Sequence, residues 1–156
     1  MKNFTERVRE ELSGELPSAQ CCRRSMLCGI LINADCSPDG MIYAKLSGRT
    51  SSELMQRLLR DTFGREAYPE YSNSYGRVSA EVSFSSDKLA DKLREMSSGA
   101  ESTLFKCKNC RAAFLSGLLL SSANFSDPER ESRLEIRINA LSLYGDAIRG
   151  ISSDSI

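Results

Sequence analysis

Cysteine side chains are the strongest candidates for chemistry in this chain of 156 residues, which has six cysteines and no histidine. Cys107 and Cys110 form a C-x-x-C pair just before a predicted helix, and Cys21 and Cys22 are adjacent. Such a pair is typical of half a zinc site, which Cys21 and Cys22 would complete, or of a redox pair whose thiolate is stabilised by a helix N-terminus. Adjacent cysteines make a poor chelate, and no thioredoxin-like βαβ pattern precedes Cys107. We therefore favour free thiols without a metal or cofactor, and keep a zinc-binding or thiol-based redox protein as the alternative.

The absence of histidine excludes several classes of enzyme and of metal site. Ser-His-Asp and Cys-His catalysis and histidine-containing zinc sites all need a residue that this chain lacks. The 21 basic and 21 acidic side chains cancel, so contact with DNA must come from a local patch. The N-terminus has no apolar signal segment, and the apolar stretches around Ile30 and Leu118 are too short to cross a bilayer. We expect a cytoplasmic protein with reduced thiols and no membrane partner.

The hydropathy periodicity predicts an α+β fold, in which helices alternate with half-buried strands. Helices are predicted to begin near residues 4, 19 to 21, 50, 86, 110 and 141, and strands to cover residues 42–46, 77–84 and 134–138. The second of these helices is predicted to reach Asn33. Thr50 to Glu53 has the form of a capping box, Gly64 is expected to end that helix, and Ser86 is expected to cap the next one. A turn is predicted at residues 126–128.

Two predicted helices match each other when the sequence is offset by 88 positions. The offset aligns the following pairs: Cys22 with Cys110, Arg23 with Arg111, Leu27 with Leu115, and Gly29 with Gly117. Each copy is followed by a proline-containing turn and a strand, so the repeated unit is larger than one helix. Small residues stand four apart in both copies, at Ser25 and Gly29 and at Ala113 and Gly117, and small side chains let two helix backbones approach. We expect the two helices to pair through these four residues.

The segments from Leu27 to Asp35 and from Leu115 to Ala123 resemble the motif of the LAGLIDADG homing-endonuclease family. That resemblance implies αββαββα repeats with the two motif helices paired at the centre. Within the superfamily the sequence is most similar to the N-terminal part of the sporulation-type WhiA family of transcription regulators. The residues that carry this similarity include Cys21 to Arg24, Arg111 to Gly117, and Ser126 to Glu129.

The resemblance predicts four segments. They are an N-terminal helix in residues 1–20, a first repeat in 21–96, a linker in 97–106 and a partial second repeat in 107–156. The remainder of the second repeat and a helix-turn-helix domain, which the family has, do not follow in this sequence. We expect an incomplete second repeat to leave strand edges uncovered, which favours a homodimer.

The nuclease branch of the family needs an acidic residue at the eighth motif position of each helix, where the carboxylates hold divalent cations. Those positions are Ala34 and Ser122 here, and neither side chain is an anionic ligand. Asp35 comes one residue late, which turns a helical side chain by about 100°. The sequence therefore predicts a protein that is not an enzyme.

The outward face of the predicted strands is the remaining candidate surface, because the family contacts duplex DNA on that face. Its basic residues are Lys45, Arg77, Arg133 and Arg137, interrupted by Glu81 and Glu135. So few cations predict weak, salt-sensitive DNA binding, or an ordinary solvated face. The resemblance implies a non-catalytic DNA-associated or protein-interaction module of a regulator of sporulation and cell division. Its expected partners are a sigma factor or another regulator, and DNA. Either the module itself contacts DNA weakly, or the family contacts DNA only through its helix-turn-helix domain.

Overall fold

A computed structural model describes residues 4–14, 16–97, 105–125 and 134–136 of the chain. The helices are α1 (Phe4–Ser13), α2 (Gln20–Ile30), α3 (Arg49–Phe63), α4 (Asp87–Ser97) and α5 (Cys110–Ser122). The strands are β1 (Asp35–Cys36), β2 (Met41–Ser47), β3 (Glu70–Ser74), β4 (Arg77–Ser85), β5 (Ala123–Phe125) and β6 (Leu134–Ile136). Elements α2 to α4 follow the order αββαββα, and α5 with β5 and β6 begins a second copy of that order. The predicted α+β fold class is confirmed.

The first four strands form one antiparallel sheet in the order β1, β2, β4, β3. Residues of β2 alternate strictly between exposed and buried along the strand, as the hydropathy pattern predicts. Ala44 lies opposite Val82 on the buried face, and Lys45 lies opposite Glu81 on the exposed face. Strand β3, in contrast, is exposed along its whole length at the edge of the sheet.

The core lies between the buried face of this sheet and the helices. Leu54, Met55, Leu58 and Leu59 of α3 are all buried, which matches the predicted apolar stripe of that helix. Helix α2 is buried on most of its circumference, from Ser25 through Ile32 just beyond its end. A helix that is apolar on most sides belongs inside a molecule rather than on its surface. Helices α2 and α5 therefore form the centre of the fold.

Of three predicted helix boundaries, two are confirmed and one is wrong. Gly64 has φ 64° and ψ 27° and ends α3, and the Leu89 N–H bonds to the Ser86 hydroxyl at 3.3 Å at the start of α4, so both of these predictions are confirmed. The predicted capping box at Thr50 to Glu53 is wrong. The chain turns sharply at Gly48, which has φ 83°, and α3 begins at once with Arg49, so Thr50 already lies inside the first turn.

The second predicted helix is shorter than expected, because α2 ends at Ile30 and the chain turns through residues 31–33 into β1. Strand β6 lies within the predicted strand of residues 134–138. It pairs antiparallel with β5, where Ala123 lies opposite Ile136. The turn at 126–128, most of the linker and the helical pattern from residue 141 lie outside the described residues. No helix in the described ranges is long and apolar enough to span a bilayer.

Candidate functional site

Helices α2 and α5 touch backbone to backbone at two glycines. A Cβ atom on Gly29 would lie 2.2 Å from the carbonyl oxygen of Phe114, and one on Gly117 would lie 2.0 Å from that of Met26. Both distances are far below any van der Waals contact, so a larger side chain would push the helices apart. The structure thus brings Gly29 and Gly117 together at the helix crossing.

The other two predicted interface residues lie nearer the N-terminal ends of the pair. Ser25 is fully buried, and its hydroxyl donates to the carbonyl oxygen of Cys21 at 2.9 Å, within its own helix. Ala113 is also buried. Together with Cys22 and Met26 it borders a cleft of about 440 Å³ between the starts of the two helices.

The opposite ends of the two helices hold neutral polar side chains. The Asn33 amide nitrogen donates to the Ser122 hydroxyl at 3.2 Å, which ties the chain after α2 to the last residue of α5. The Ser121 hydroxyl lies 3.4 Å from the carbonyl oxygen of Gly29. Ala34 is half-buried beside this bridge, and Asp35 is exposed in β1. The sequence did not indicate this role for Asn33. The residue reaches Ser122 only because α2 ends at Ile30, three residues earlier, and the chain turns there.

A cleft of about 520 Å³ opens beside this neutral bridge, between the helix ends and the exposed face of the sheet. Lys45 of β2 and Arg77 of β4 border it, and so does Arg9 of α1. Asp35 is the acidic side chain on its border. Three cations against one carboxylate give this cleft a local positive charge that the neutral chain as a whole does not have.

Arg9 is the residue of this cleft that the sequence analysis missed. It is 8% exposed and is the one buried residue of the described helix α1. Burial lowers the pKa of the guanidinium, and the charge of Glu6 opposes that effect. Its position next to Val8, on the apolar side of α1, is the one feature of the sequence that indicates burial. That feature does not predict which surface α1 packs against.

The four residues predicted from the sequence to contact DNA divide into two groups. Lys45 and Arg77 are exposed on the sheet face, where Lys45 is opposite Glu81 and Arg77 is opposite Ser74. An acidic partner directly across the strand pair weakens the positive field of Lys45. Arg133 and Arg137 lie outside the described residues.

Four cysteines converge at the N-terminal ends of α2 and α5. Cys21 and Cys22 lie in the first turn of α2, Cys107 lies in the preceding loop of the second copy, and Cys110 begins α5. The Cys107 sulfur lies 3.7 Å from that of Cys21, 3.4 Å from that of Cys22 and 3.6 Å from that of Cys110. The Cys22 and Cys110 sulfurs are 4.0 Å apart, and all four sulfurs lie within 4.8 Å of one another.

The adjacent Cys21 and Cys22 sulfurs nevertheless lie within 4.8 Å of each other and of the sulfurs of the second pair. Side chains of neighbouring helical residues diverge by about 100°. The loop before α5 carries Cys107 in front of the start of α2, where it comes close to both Cys21 and Cys22. This convergence depends on the packing of two distant segments. The local spacing of the cysteines does not show it, but the offset of 88 positions, which aligns Cys22 with Cys110 on two pairing helices, does indicate it.

The thiols of this cluster differ in their acidity. Burial raises the pKa of Cys110, but hydrogen bonds with the backbone at Cys107 and Lys106 outweigh that effect and lower it to about 6. Burial and then a hydrogen bond with Cys107 raise the pKa of Cys22. The pKa of Cys21 is raised by hydrogen bonds with Cys110 and Cys107.

The other two cysteines lie apart from this cluster. Cys28 is fully buried in the core, and burial raises its pKa to about 12. Cys36 is half-buried at the start of the sheet, and burial raises its pKa as well. A buried neutral thiol behaves as a small apolar side chain, so neither residue is a candidate for chemistry.

Comparison with known proteins identifies the architecture. No protein-family profile and no curated protein matches this sequence. The crystal structure of the N-terminal LAGLIDADG domain of DUF199/WhiA is similar with a TM-score of 0.68 and 19% identity, covering 96% of this chain and 76% of that one. This chain has a LAGLIDADG fold. Full-length DUF199/WhiA from Thermatoga maritima is similar with the same TM-score and identity, over 96% of this chain and 50% of that one. The chain thus spans about half the length of that full-length protein.

In this LAGLIDADG fold, α2 and α5 are the motif helices, and the resemblance stated from the sequence is confirmed at the level of the fold. The Asn33 to Ser122 bridge lies where the seventh position of the first motif meets the eighth position of the second. The cysteine cluster lies at the opposite end of the same two helices, so the two candidate sites are separated by the length of the motif helices.

Proposed function

We propose that this chain is a non-catalytic, DNA-associated module of a WhiA-like transcription regulator that acts in the control of sporulation and cell division. The observation that carries the proposal is the neutral hydrogen bond between Asn33 and Ser122 at the ends of the motif helices. Carboxylates at this place would hold the divalent cations of a nuclease. An amide and a hydroxyl make a much weaker site for a hard cation. At these helix ends they join the two helices by a hydrogen bond instead.

The cations around the adjacent cleft support contact with the DNA backbone. Arg9, Lys45 and Arg77 border it together, and a phosphate placed there would meet three positive side chains. Asp35 on the border and Glu81 opposite Lys45 reduce this attraction. The binding should therefore be weak and independent of sequence, with Arg133 and Arg137 as further proposed contacts outside the described residues.

Protein contacts belong to the same proposal. A sigma factor or another regulator, or a second copy of this chain, would be the partner if the module acts through protein surfaces in a longer regulator. Strand β3 is the longer of the two edge strands of the four-stranded sheet and is exposed along its length, which makes it the first place to look for such a partner.

The test is binding and cleavage measured together. Fluorescence anisotropy with labelled random duplex DNA in low salt and Mg²⁺ should show weak binding, while a gel of the same samples shows uncut DNA. Cleavage would contradict the non-catalytic part of the proposal. Undetectable binding at low salt would contradict the DNA-associated part and leave protein interaction as the function.

A further inference from the structure

The sulfur atoms of Cys21, Cys22, Cys107 and Cys110 all lie within 4.8 Å of one another, close enough to surround one ion. A zinc ion held by four thiolates has Zn–S distances of about 2.3 Å, which places its sulfurs about 3.8 Å apart. Four of the six sulfur–sulfur separations in the cluster run from 3.4 to 4.0 Å, on both sides of that value. A disulfide would need a separation of about 2.05 Å, and all four cysteines are free.

The burial of the cluster also suits a metal. Cys22 and Cys110 are buried and Cys21 is half-buried, so most of the cluster is removed from water. Cys107 is exposed, which gives an ion a path to the cluster from solvent. Among the described residues, these four are the group of cysteine and acidic side chains that could surround one ion.

Positive charge lies around the cluster. Cys21 and Cys22 lie in the first turn of α2, and Cys110 begins α5, so the positive ends of two helix dipoles face the sulfurs. Lys106, Lys108 and Arg111 flank the second pair of cysteines in the sequence. A zinc ion with four thiolates carries a net charge of −2, which these dipoles and cations would stabilise.

We propose that Cys21, Cys22, Cys107 and Cys110 bind one structural zinc ion that clamps the starts of the two motif helices together. Each thiol that binds the ion gives up its proton to solvent, and no electron is transferred. Four protein ligands leave no open position for water or substrate, so the ion is structural rather than catalytic. It would join two parts of the chain that are about 88 residues apart.

The function of the clamp follows from its position. The loop before α5 connects the first copy of the fold to the second, and Cys107 and Cys110 tie that loop to α2. Gly29 and Gly117 allow close contact further along the same helices. The ion would therefore hold the helix pair at one end, while the two glycines hold it at the crossing. This inference does not depend on DNA binding and can fail or hold independently of the proposed function.

The experiment is metal analysis of the purified, reduced full-length chain by mass spectrometry. We expect one zinc per chain, and thiol titration should then find the four cluster cysteines protected until a chelator is added. Cobalt added to the metal-free protein should give the strong absorption of tetrahedral thiolate coordination. Removing the metal should lower the melting temperature, and zinc should restore it.

Two variants distinguish the cluster from the other cysteines. Cys107→Ser removes the exposed ligand, and we expect it to weaken zinc binding at least tenfold. Cys36→Ser changes a half-buried cysteine outside the cluster and should leave one zinc per chain. If Cys107→Ser does not fold, cobalt titration of the wild-type chain still decides the question. Reduced, folded wild-type protein that binds neither zinc nor cobalt would overturn the proposal, and so would bound iron or a Cys107 to Cys110 disulfide in the isolated protein.

Discussion

The Asn33 amide and the Ser122 hydroxyl meet at 3.2 Å and join the ends of the two motif helices by a neutral hydrogen bond. A nuclease of this fold would need two carboxylates in this region. Asp35, exposed in β1, is the one described acidic side chain on the border of the cleft that Asn33 and Ser122 also line. The bridge satisfies polar groups without a cation. This contact is the observation behind the proposal that the module is non-catalytic.

The first prediction is that the chain does not cut DNA. Supercoiled plasmid incubated with the protein and Mg²⁺ or Mn²⁺ should remain supercoiled, because the described residues at the helix ends offer no pair of carboxylates to hold the metal against a phosphate. The readout is the fraction of nicked and linear plasmid on a gel. Nicking that is present with the wild-type chain and absent with Asp35→Asn would show that Asp35 supplies a metal site after all.

The second prediction concerns the helix crossing. Gly29→Ala and Gly117→Ala should each destabilise the protein by about 3 kcal/mol, since the added Cβ meets backbone that cannot move without separating the helices. Urea unfolding followed by circular dichroism measures this difference. Gly14→Ala is the matched control, because its Cβ would meet neighbours at 3.5 Å or more and should change the stability by less than about 0.5 kcal/mol. Equal stability of all three variants would show that the crossing is looser than described.

These glycines also show how far the sequence could predict the fold. The offset of the two copies and the small residues within them predict that the helices pair, and the alternation along β2 and β4 predicts which strand face is buried. Both patterns are local and repeat at a fixed period. The predicted capping box is wrong because the turn at Gly48 starts α3 at Arg49. The Ser51 hydroxyl then bonds to Leu120 and the Ser52 hydroxyl to Arg49 and Tyr71. Arg9 and the cysteine cluster depend on segments far apart in the chain, and no local period encodes them.

The third prediction concerns Ser51, whose fully buried hydroxyl donates to the carbonyl oxygen of Leu120 at 2.7 Å. Ser51→Ala should cost about 1–2 kcal/mol of unfolding free energy, because it leaves a buried carbonyl without this donor between α3 and α5. Ser72→Ala removes an exposed hydroxyl that bonds to Ser79 and should cost much less. Chemical denaturation of both variants measures the difference. A Ser51→Ala protein as stable as Ser72→Ala would mean that this bond does not hold α3 against α5.

The fourth prediction concerns the acidic residue on the basic face. Glu81 lies opposite Lys45 on the exposed side of the sheet, where it would repel phosphate. Glu81→Gln should raise the affinity for random duplex DNA about threefold, on the order of 0.7 kcal/mol for charges about 6 Å apart in water. Glu53→Gln makes the same change in charge on α3 and should have little effect on anisotropy titrations. An equal rise in both variants would attribute the effect to net charge alone.

The central claim is that the cleft bordered by Lys45 and Arg77 is the surface that contacts the DNA backbone. The most direct measurement is the slope of log affinity against log salt concentration, for random duplex DNA, in the wild-type chain and two double variants. Lys45→Gln with Arg77→Gln should weaken binding and reduce the slope by about 2, because two phosphate contacts are lost. Arg57→Gln with Lys88→Gln removes the same charge from exposed positions on α3 and α4 and should leave the slope nearly unchanged. Equal slopes and affinities for the two double variants would contradict the claim that this face binds DNA.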